Sequence, residues 1–240
     1  MTRDIIDDIR SKQQSHQSSE GSISPPKHDP EMLYIGCVDA RLDPVADIGI
    51  EQGRALIHRN VGALVPEMRN SVDGVITASD EMGGVLELFL DILERDKNPD
   101  KIKKKHIVVS GHTHCGGINA CACHKAMPGG FLERYLSAFS GVVSGIFGQE
   151  RSNSNPSENK LRELEEESVR QSVRNLRSYG IVQDAERKGL VELHGWMIDT
   201  ATKHISELHK DGQFVRMDLP QTRPNRNRLG HGDSGSQSRG

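Results

Sequence analysis

Apolar residues arrive along this chain in short runs separated by longer amphipathic stretches. Met32-Leu33-Tyr34-Ile35-Gly36-Cys37 predicts a buried strand, and Ala55-Leu56-Ile57-His58-Arg59 a second. Between Val75 and Leu93, apolar residues at Val85, Leu86, Leu88, Phe89, Ile92 and Leu93 keep a helical spacing. Polar Lys101 to Lys105 leads into a third strand, His106 to Ser110. A glycine-rich turn, Gly111 to Gly117, then opens a helix.

Ser157 to Tyr179 is charged and helical, with Leu161, Leu164, Val169, Val173 and Leu176 as its apolar positions. Its cluster from Glu163 to Glu167 reads as a solvated face. Gly180 is the expected stop, because glycine takes the left-handed conformation that ends helices. A last strand, Leu190 to Met197, precedes a hairpin-like return through Asp199 and Lys203 to Leu208. This alternation predicts an α/β fold, a mostly parallel central β-sheet flanked by helices. Sites in such sheets form beyond the carboxyl ends of the strands.

Both ends look different. Asp4 to Ile9 suits a short helix, but Ser11 to Pro30 is rich in Ser, Gln, Gly and Pro and buries too little to offset its ordering. The expected organisation is an N-terminal arm over 1–30, one main domain over 31–219 and a basic, Gly/Ser-rich tail over 220–240. With 31 basic and 34 acidic residues the chain carries a formal charge of −3, which offers no electrostatic footprint for nucleic acid. No apolar run reaches the ~18 residues of a membrane span, and the acidic N-terminus lacks the features of a targeting signal. The cytoplasm is therefore the expected compartment.

Four cysteines, at 37, 115, 121 and 123, suit metal binding or catalysis in a reducing compartment better than a disulfide scaffold. Two follow predicted strands directly, in Cys37-Val38-Asp39-Ala40-Arg41 and in His112-Thr113-His114-Cys115-Gly116-Gly117. Zinc takes thiolate sulfur and imidazole nitrogen, and a catalytic zinc keeps three protein ligands and one open position. Cys37, His112 and Cys115 supply that number. His112, His114 and Cys115 are an alternative set, and Cys121, Cys123 and His124 with His114 a second possible cluster; for Cys121 and Cys123 buried free thiols are the simpler reading. Asp39 and Arg41, two apart on an extended segment, face the same side and can pair. An arginine-paired carboxylate stays ionised and acceptor-only, fit to orient an attacking hydroxide. It is also able to swing onto the metal and close the site.

These two segments resemble the Cys-x-Asp-x-Arg and His-x-x-Cys motifs of the β-class carbonic anhydrase family. The resemblance continues through His58-Arg59-Asn60-Val61-Gly62, Ile181 to Ala185 and His194 to Asp199, covering roughly Met32 to Leu219. It implies one Zn2+ per chain on Cys37, His112 and Cys115, with Asp39–Arg41 as a catalytic dyad and Gly116 beside the substrate. It implies reversible hydration of carbon dioxide to bicarbonate, or in some relatives hydrolysis of carbon disulfide or carbonyl sulfide. A zinc-stabilised interaction protein of the same fold, without turnover, is the reading from another class. The resemblance further implies a helical N-terminal arm embracing a partner in a homodimer or larger homo-oligomer. Tyr34 stands where bicarbonate-regulated members carry Trp, whereas Arg59 matches another residue of that regulatory site. His114 and His58 are candidate proton shuttles.

Overall fold

In the computed structural model, the described residues are 6, 28–69, 77–94, 104–123, 130–137, 144–145 and 155–217. Six strands make one sheet: β1 Met32–Cys37, β2 Ala55–Asn60, β3 Lys105–His112, β4 Val191–Ile198, β5 Ile205–Leu208 and β6 Phe214–Arg216. Their order is β2-β1-β3-β4-β5-β6. The first four run parallel, with Met32 opposite Ala55, Leu33 opposite Ile107 and Val109 opposite Gly195. The hairpin after β4 is antiparallel, with Ile198 opposite Ile205. The α/β reading of the sequence is thus the architecture of the described residues.

The helices are α1 Pro44–Ile48, α2 Ala78–Glu94, α3 Gly116–Cys123, α4 Phe131–Ser137, α5 Glu158–Leu176 and α6 Gly180–Arg187. Side chains on a strand alternate between faces, and each face has its own core. On one, Leu33, Ile35, Ile107, Val109 and Met197 pack beneath α2 (Met82, Leu86, Phe89), α5 (Val169, Val173, Leu176) and α6 (Val182, Ala185). On the other, Tyr34, Val108, Trp196, Ile198 and Ile205 pack with Leu42. A third cluster, around Cys37, Leu64, Cys115, Ile118 and Leu164, closes the carboxyl end of the sheet.

Glycine lets α5 sit directly on the sheet. A Cβ on Gly111 would stand 2.5 Å from Val169 Cγ2 and 2.9 Å from Met197 Sδ, and one on Gly195 would stand 3.0 Å from Val169 Cγ1. The helix therefore approaches β3 and β4 over a gap without side chains.

Two expectations change. Gly180 does not end the long charged helix: α5 stops at Leu176 with Arg177 as a right-handed cap, and Gly180 is the first residue of α6. On α2 the helical spacing is right, but Leu88 is 54% exposed while Leu86 and Phe89 are fully buried. Most of the N-terminal arm, the 95–103 segment, His124 and the tail after Pro220 lie outside the described residues. No helix among the described residues is long and apolar enough to cross a membrane.

Candidate metal centre

From β1 the chain departs to β2 on one side of the sheet, while β3 lies on the other. A crevice therefore opens at the carboxyl ends of β1 and β3, the switch point at which open α/β sheets bind ligands. Cys37 ends β1 and His112 ends β3. The turn after β3 carries His114 at φ 56°, a left-handed conformation unusual for a residue with a side chain. It brings Cys115 back toward His112 just before α3 begins.

Ligand atoms of Cys37, His112 and Cys115 all lie within 4.8 Å of one another, and all three residues are buried. The two sulfurs are 3.9 Å apart, close to the roughly 3.8 Å edge of a tetrahedron whose metal–sulfur distance is about 2.3 Å. His112 Nδ1 lies 3.0 Å from the Thr113 carbonyl oxygen and donates to it. That fixes the proton on Nδ1 and leaves the lone pair on Nε2. Nε2 is buried without a hydrogen-bond partner. A buried orphan acceptor between two thiols is costly unless something occupies it, and the donor set is the one zinc takes.

Electrostatics couple the three groups to one another. The neighbouring Cys115 thiol, then His112, pull Cys37 below the usual thiol range, while the proton stays with Cys115, whose titration is pushed up by Cys37 and by burial. Burial works against a charge on His112, but the facing Cys37 outweighs it and raises the imidazole's pKa.

Arg41 grips the Asp39 carboxylate with two prongs, Nε to Oδ1 at 2.9 Å and Nη2 to Oδ2 at 2.6 Å, and its backbone N–H adds a third bond at 2.9 Å. These bonds hold Asp39 far below the usual carboxylate range. Asp39 Oδ2 lies 3.9 Å from His112 Nε2, at the mouth of the cradle. Arg41 also donates to the His114 carbonyl at 2.9 Å, tying one ligand loop to the other. In this arrangement Asp39 is held by arginine beside the three ligands.

Four further side chains hold these groups in place. Arg59 donates to the carbonyls of Cys37 at 2.8 Å, Asp39 at 2.7 Å and Leu42 at 3.1 Å, clamping the whole loop after β1. The loop then ends cleanly, because Asp43 caps α1 through the N–H groups of Val45 and Ala46 and Pro44 fills the first turn. Lys203, from the β4–β5 hairpin, donates to the Arg41 carbonyl at 2.6 Å. Glu165 of α5 accepts the backbone N–H of Cys115 at 2.8 Å.

Glu165 corrects the solvated-face reading of Glu163 to Glu167, being 2% exposed. Its signal was present: Leu161, Glu165, Val169 and Val173 follow each other at four-residue steps, on the helix's buried stripe. Nothing comparable in the sequence marks Arg59 as a clamp, since its three acceptors are backbone atoms.

His114 turns its side chain to solvent and lends only its carbonyl, so the set His112, His114 and Cys115 is not the one assembled. Cys121 and Cys123 are buried thiols, with Sγ atoms against the Leu136 carbonyl and the Asn119 side-chain oxygen. His58 is half-buried beside Asn60 at 3.4 Å. Gly116 is exposed at the start of α3, and Gly117 gives the close approach, since a Cβ there would meet Val61 Cγ1 at 2.6 Å. Tyr34 is buried under the sheet with its ring over Gly36.

A parallel-centred sheet with two cysteines and one imidazole gathered at its switch point defines an α/β protein with a candidate metal cradle. The sequence profile of the family described as "Carbonic anhydrase" matches residues 99–205. Beta carbonic anhydrase 6, mitochondrial, of Arabidopsis thaliana is 30% identical over 169 residues, which are 69% of this chain and 52% of that protein. Among solved structures, the β-carbonic anhydrase CcaA aligns with a TM-score of 0.62 at 19% identity, over 88% of this chain and 90% of that one. One of two tetrameric β-carbonic anhydrases from Sordaria macrospora aligns with a TM-score of 0.58 at 23% identity, over 84% and 92%. In sequence profile, in the Arabidopsis relative and in fold, the chain resembles the β-class carbonic anhydrases. It spans about half the length of the Arabidopsis relative.

Proposed function

We propose that this chain is a zinc-dependent carbonic anhydrase that interconverts carbon dioxide and bicarbonate. The observation that carries the reading is the Asp39–Arg41 pair standing 3.9 Å from the unpartnered His112 Nε2. A purely structural cradle has no use for an ionised carboxylate held at its mouth. Cys37, His112 and Cys115 would hold the ion. Zinc in such a site acts as a Lewis acid, making water a nucleophile at neutral pH.

The rest of the work falls to the chain's own groups. Asp39, acceptor-only because Arg41 keeps it ionised, takes a hydrogen bond from the attacking water and aims its lone pair at the carbon of carbon dioxide. Arg41 compensates the carboxylate's charge and keeps it from drifting onto the ligands. Gly116, with open space where a side chain would stand, leaves room for the substrate at the start of α3. Each turnover releases one proton, for which the exposed imidazole of His114, on the turn after β3, is a candidate carrier to buffer.

The likeness to tetrameric relatives supports assembly into a homo-oligomer. Four free thiols, two of them needed as ligands, suit a reducing compartment such as the cytoplasm.

Stopped-flow hydration of carbon dioxide by metal-quantified protein, across a window of roughly pH 6.5 to 9 around the titration of metal-bound water, tests the reading. Zinc near one per chain, with hydration lost in Cys37→Ser, is the expected result. Zinc-loaded protein without hydration anywhere in that window overturns it.

A further inference from the structure

Among the described residues, one other set of ligand-type side chains converges, at the far end of the sheet from the cradle. His106, Glu192 and His194 bring ligand atoms within 4.8 Å of one another. His106, the second residue of β3, lies six residues before His112, about 20 Å along a strand at ~3.3 Å per residue. We propose that His106, His194 and Glu192 form a second metal site, one for a divalent transition ion of the zinc, nickel or copper kind.

Sheet register builds the cluster. His106 is opposite Glu192, and Val108 opposite His194, so all three side chains project from the same face of two adjacent parallel strands. His106 Nδ1 and His194 Nε2 are 3.0 Å apart. Two imidazole nitrogens at about 2.0–2.1 Å from one ion are separated by roughly 2.9 Å at a right angle and roughly 3.3 Å at a tetrahedral one. The pair is already spaced for a shared ion.

A carboxylate behind one imidazole sets its tautomer. His194 Nδ1 lies 2.7 Å from Glu207 Oε1, which also accepts the Trp196 indole N–H at 3.4 Å. The Nδ1 proton of His194 is thereby committed to Glu207, and its Nε2 lone pair faces His106. A carboxylate–histidine–metal relay of this kind orients ligands and raises their basicity.

In the hydrogen-bonded pair, the proton between the rings belongs to His106 Nδ1. Moving it to His106 Nε2, on the other side of the same ring, frees Nδ1 as a second lone pair without changing the charge. Burial, then the neighbouring His194, lower the pKa of His106, so it is neutral near pH 7 as a ligand must be.

Glu192 supplies the third donor. Its carboxylate pairs with Lys104 Nζ at 2.8 Å, with side chains 47% and 51% exposed. An ion pair this exposed contributes little, so Glu192 can exchange it for a divalent ion. Two imidazoles and a carboxylate are a donor set suited to zinc, nickel and copper.

The test is calorimetric titration of the protein as purified, its resident metal counted beforehand, with Ni2+ alone. The expected result is one additional equivalent per chain, with affinity reduced at least tenfold in both His106→Gln and His194→Gln. Glu207→Gln should weaken it through loss of orientation, within the 10- to 100-fold range typical of such partners. Carbon dioxide hydration and the resident metal should be unchanged in His106→Gln, which verifies its fold. No additional equivalent in the unmodified protein overturns the proposal. So does nickel binding that survives undiminished in a folded His106→Gln, which would place the ion on other histidines.

Discussion

The carboxylate of Glu165 and the backbone N–H of Cys115 are joined at 2.8 Å, across 50 residues of sequence and beneath a helix that leaves Glu165 only 2% exposed. This bond fixes the turn carrying Cys115 to α5, and through Val169 and Val173 to the middle of the sheet. Burial pushes the Glu165 carboxyl above its ordinary range, so it sits there at a desolvation cost that the bond to Cys115 partly offsets. Glu165→Gln keeps an acceptor oxygen and should retain most metal affinity. Glu165→Leu strands a buried N–H, which should remove about 1–3 kcal/mol of stability and lower zinc affinity roughly 10- to 100-fold. Chelator competition and urea unfolding of both variants check this.

Removing either half of the Asp39–Arg41 pair should separate chemistry from metal binding. Asp39→Ala and Arg41→Ala should retain close to the wild-type zinc content while losing roughly 10²- to 10⁴-fold in kcat, the range for a positioned proton-handling group. Arg41→Lys should rescue little, because a lysine cannot reproduce the two-pronged grip. Stopped-flow hydration beside metal analysis makes the comparison.

Arg59 acts on the same loop from behind. Arg59→Ala releases three carbonyls, those of Cys37, Asp39 and Leu42. The loop should then loosen, lowering kcat/KM more than the melting temperature. Equal losses in both would point to a purely structural role.

Gly111→Ala tests the close approach of α5. Val169 is β-branched and confined to one strongly preferred rotamer in a helix, so it cannot yield to the new methyl. The substitution should destabilise the fold by about 1–3 kcal/mol, as overpacking does. Val169→Ala in the same chain should recover part of that loss, a non-additivity that a double-mutant cycle in urea measures.

The low pKa of His106 makes a prediction about acid stability. In the unfolded chain a histidine binds its proton near pH 6.5, whereas the folded His106 does so only at lower pH. The contribution of His106 to stability falls as pH drops below about 6.5, because at this site the unfolded state then binds more protons. His106→Gln removes this dependence. Urea unfolding at pH 7.5 and 5.5 should show the variant losing less stability than wild type over that interval; an equal or greater loss would contradict the assignment.

Much of this was legible in the residues. Met32–Cys37 and His106–Ser110 announce themselves as strands because a buried parallel strand has no solvent face to interrupt its apolar run. Cys37 and His112 then stand out as candidate ligands from their place at strand ends. Gly180 was misread because a glycine after a helix and a glycine opening the next one look alike in sequence; only the short turn through Tyr179 separates them. Glu165 was hidden by its charge, although its helical phase was that of a core residue. Arg59 was not legible as a clamp, because backbone carbonyls leave no trace in a residue list. The pairing of His106 with His194 depends on which strands are neighbours, which spacing along the chain does not state.

Cys37 and Cys115 stand 78 positions apart in the chain and 3.9 Å apart in space. An ion shared between them would be a cross-link as well as a reagent. It would close a long loop whose ends the unfolded chain must otherwise bring together at an entropic cost that grows with loop length. The cradle is complete only when β1 and β3 have paired, so an ion bound there would lock the central sheet. Withdrawing the metal should release that lock, making the holoprotein's resistance to unfolding depend on free zinc concentration.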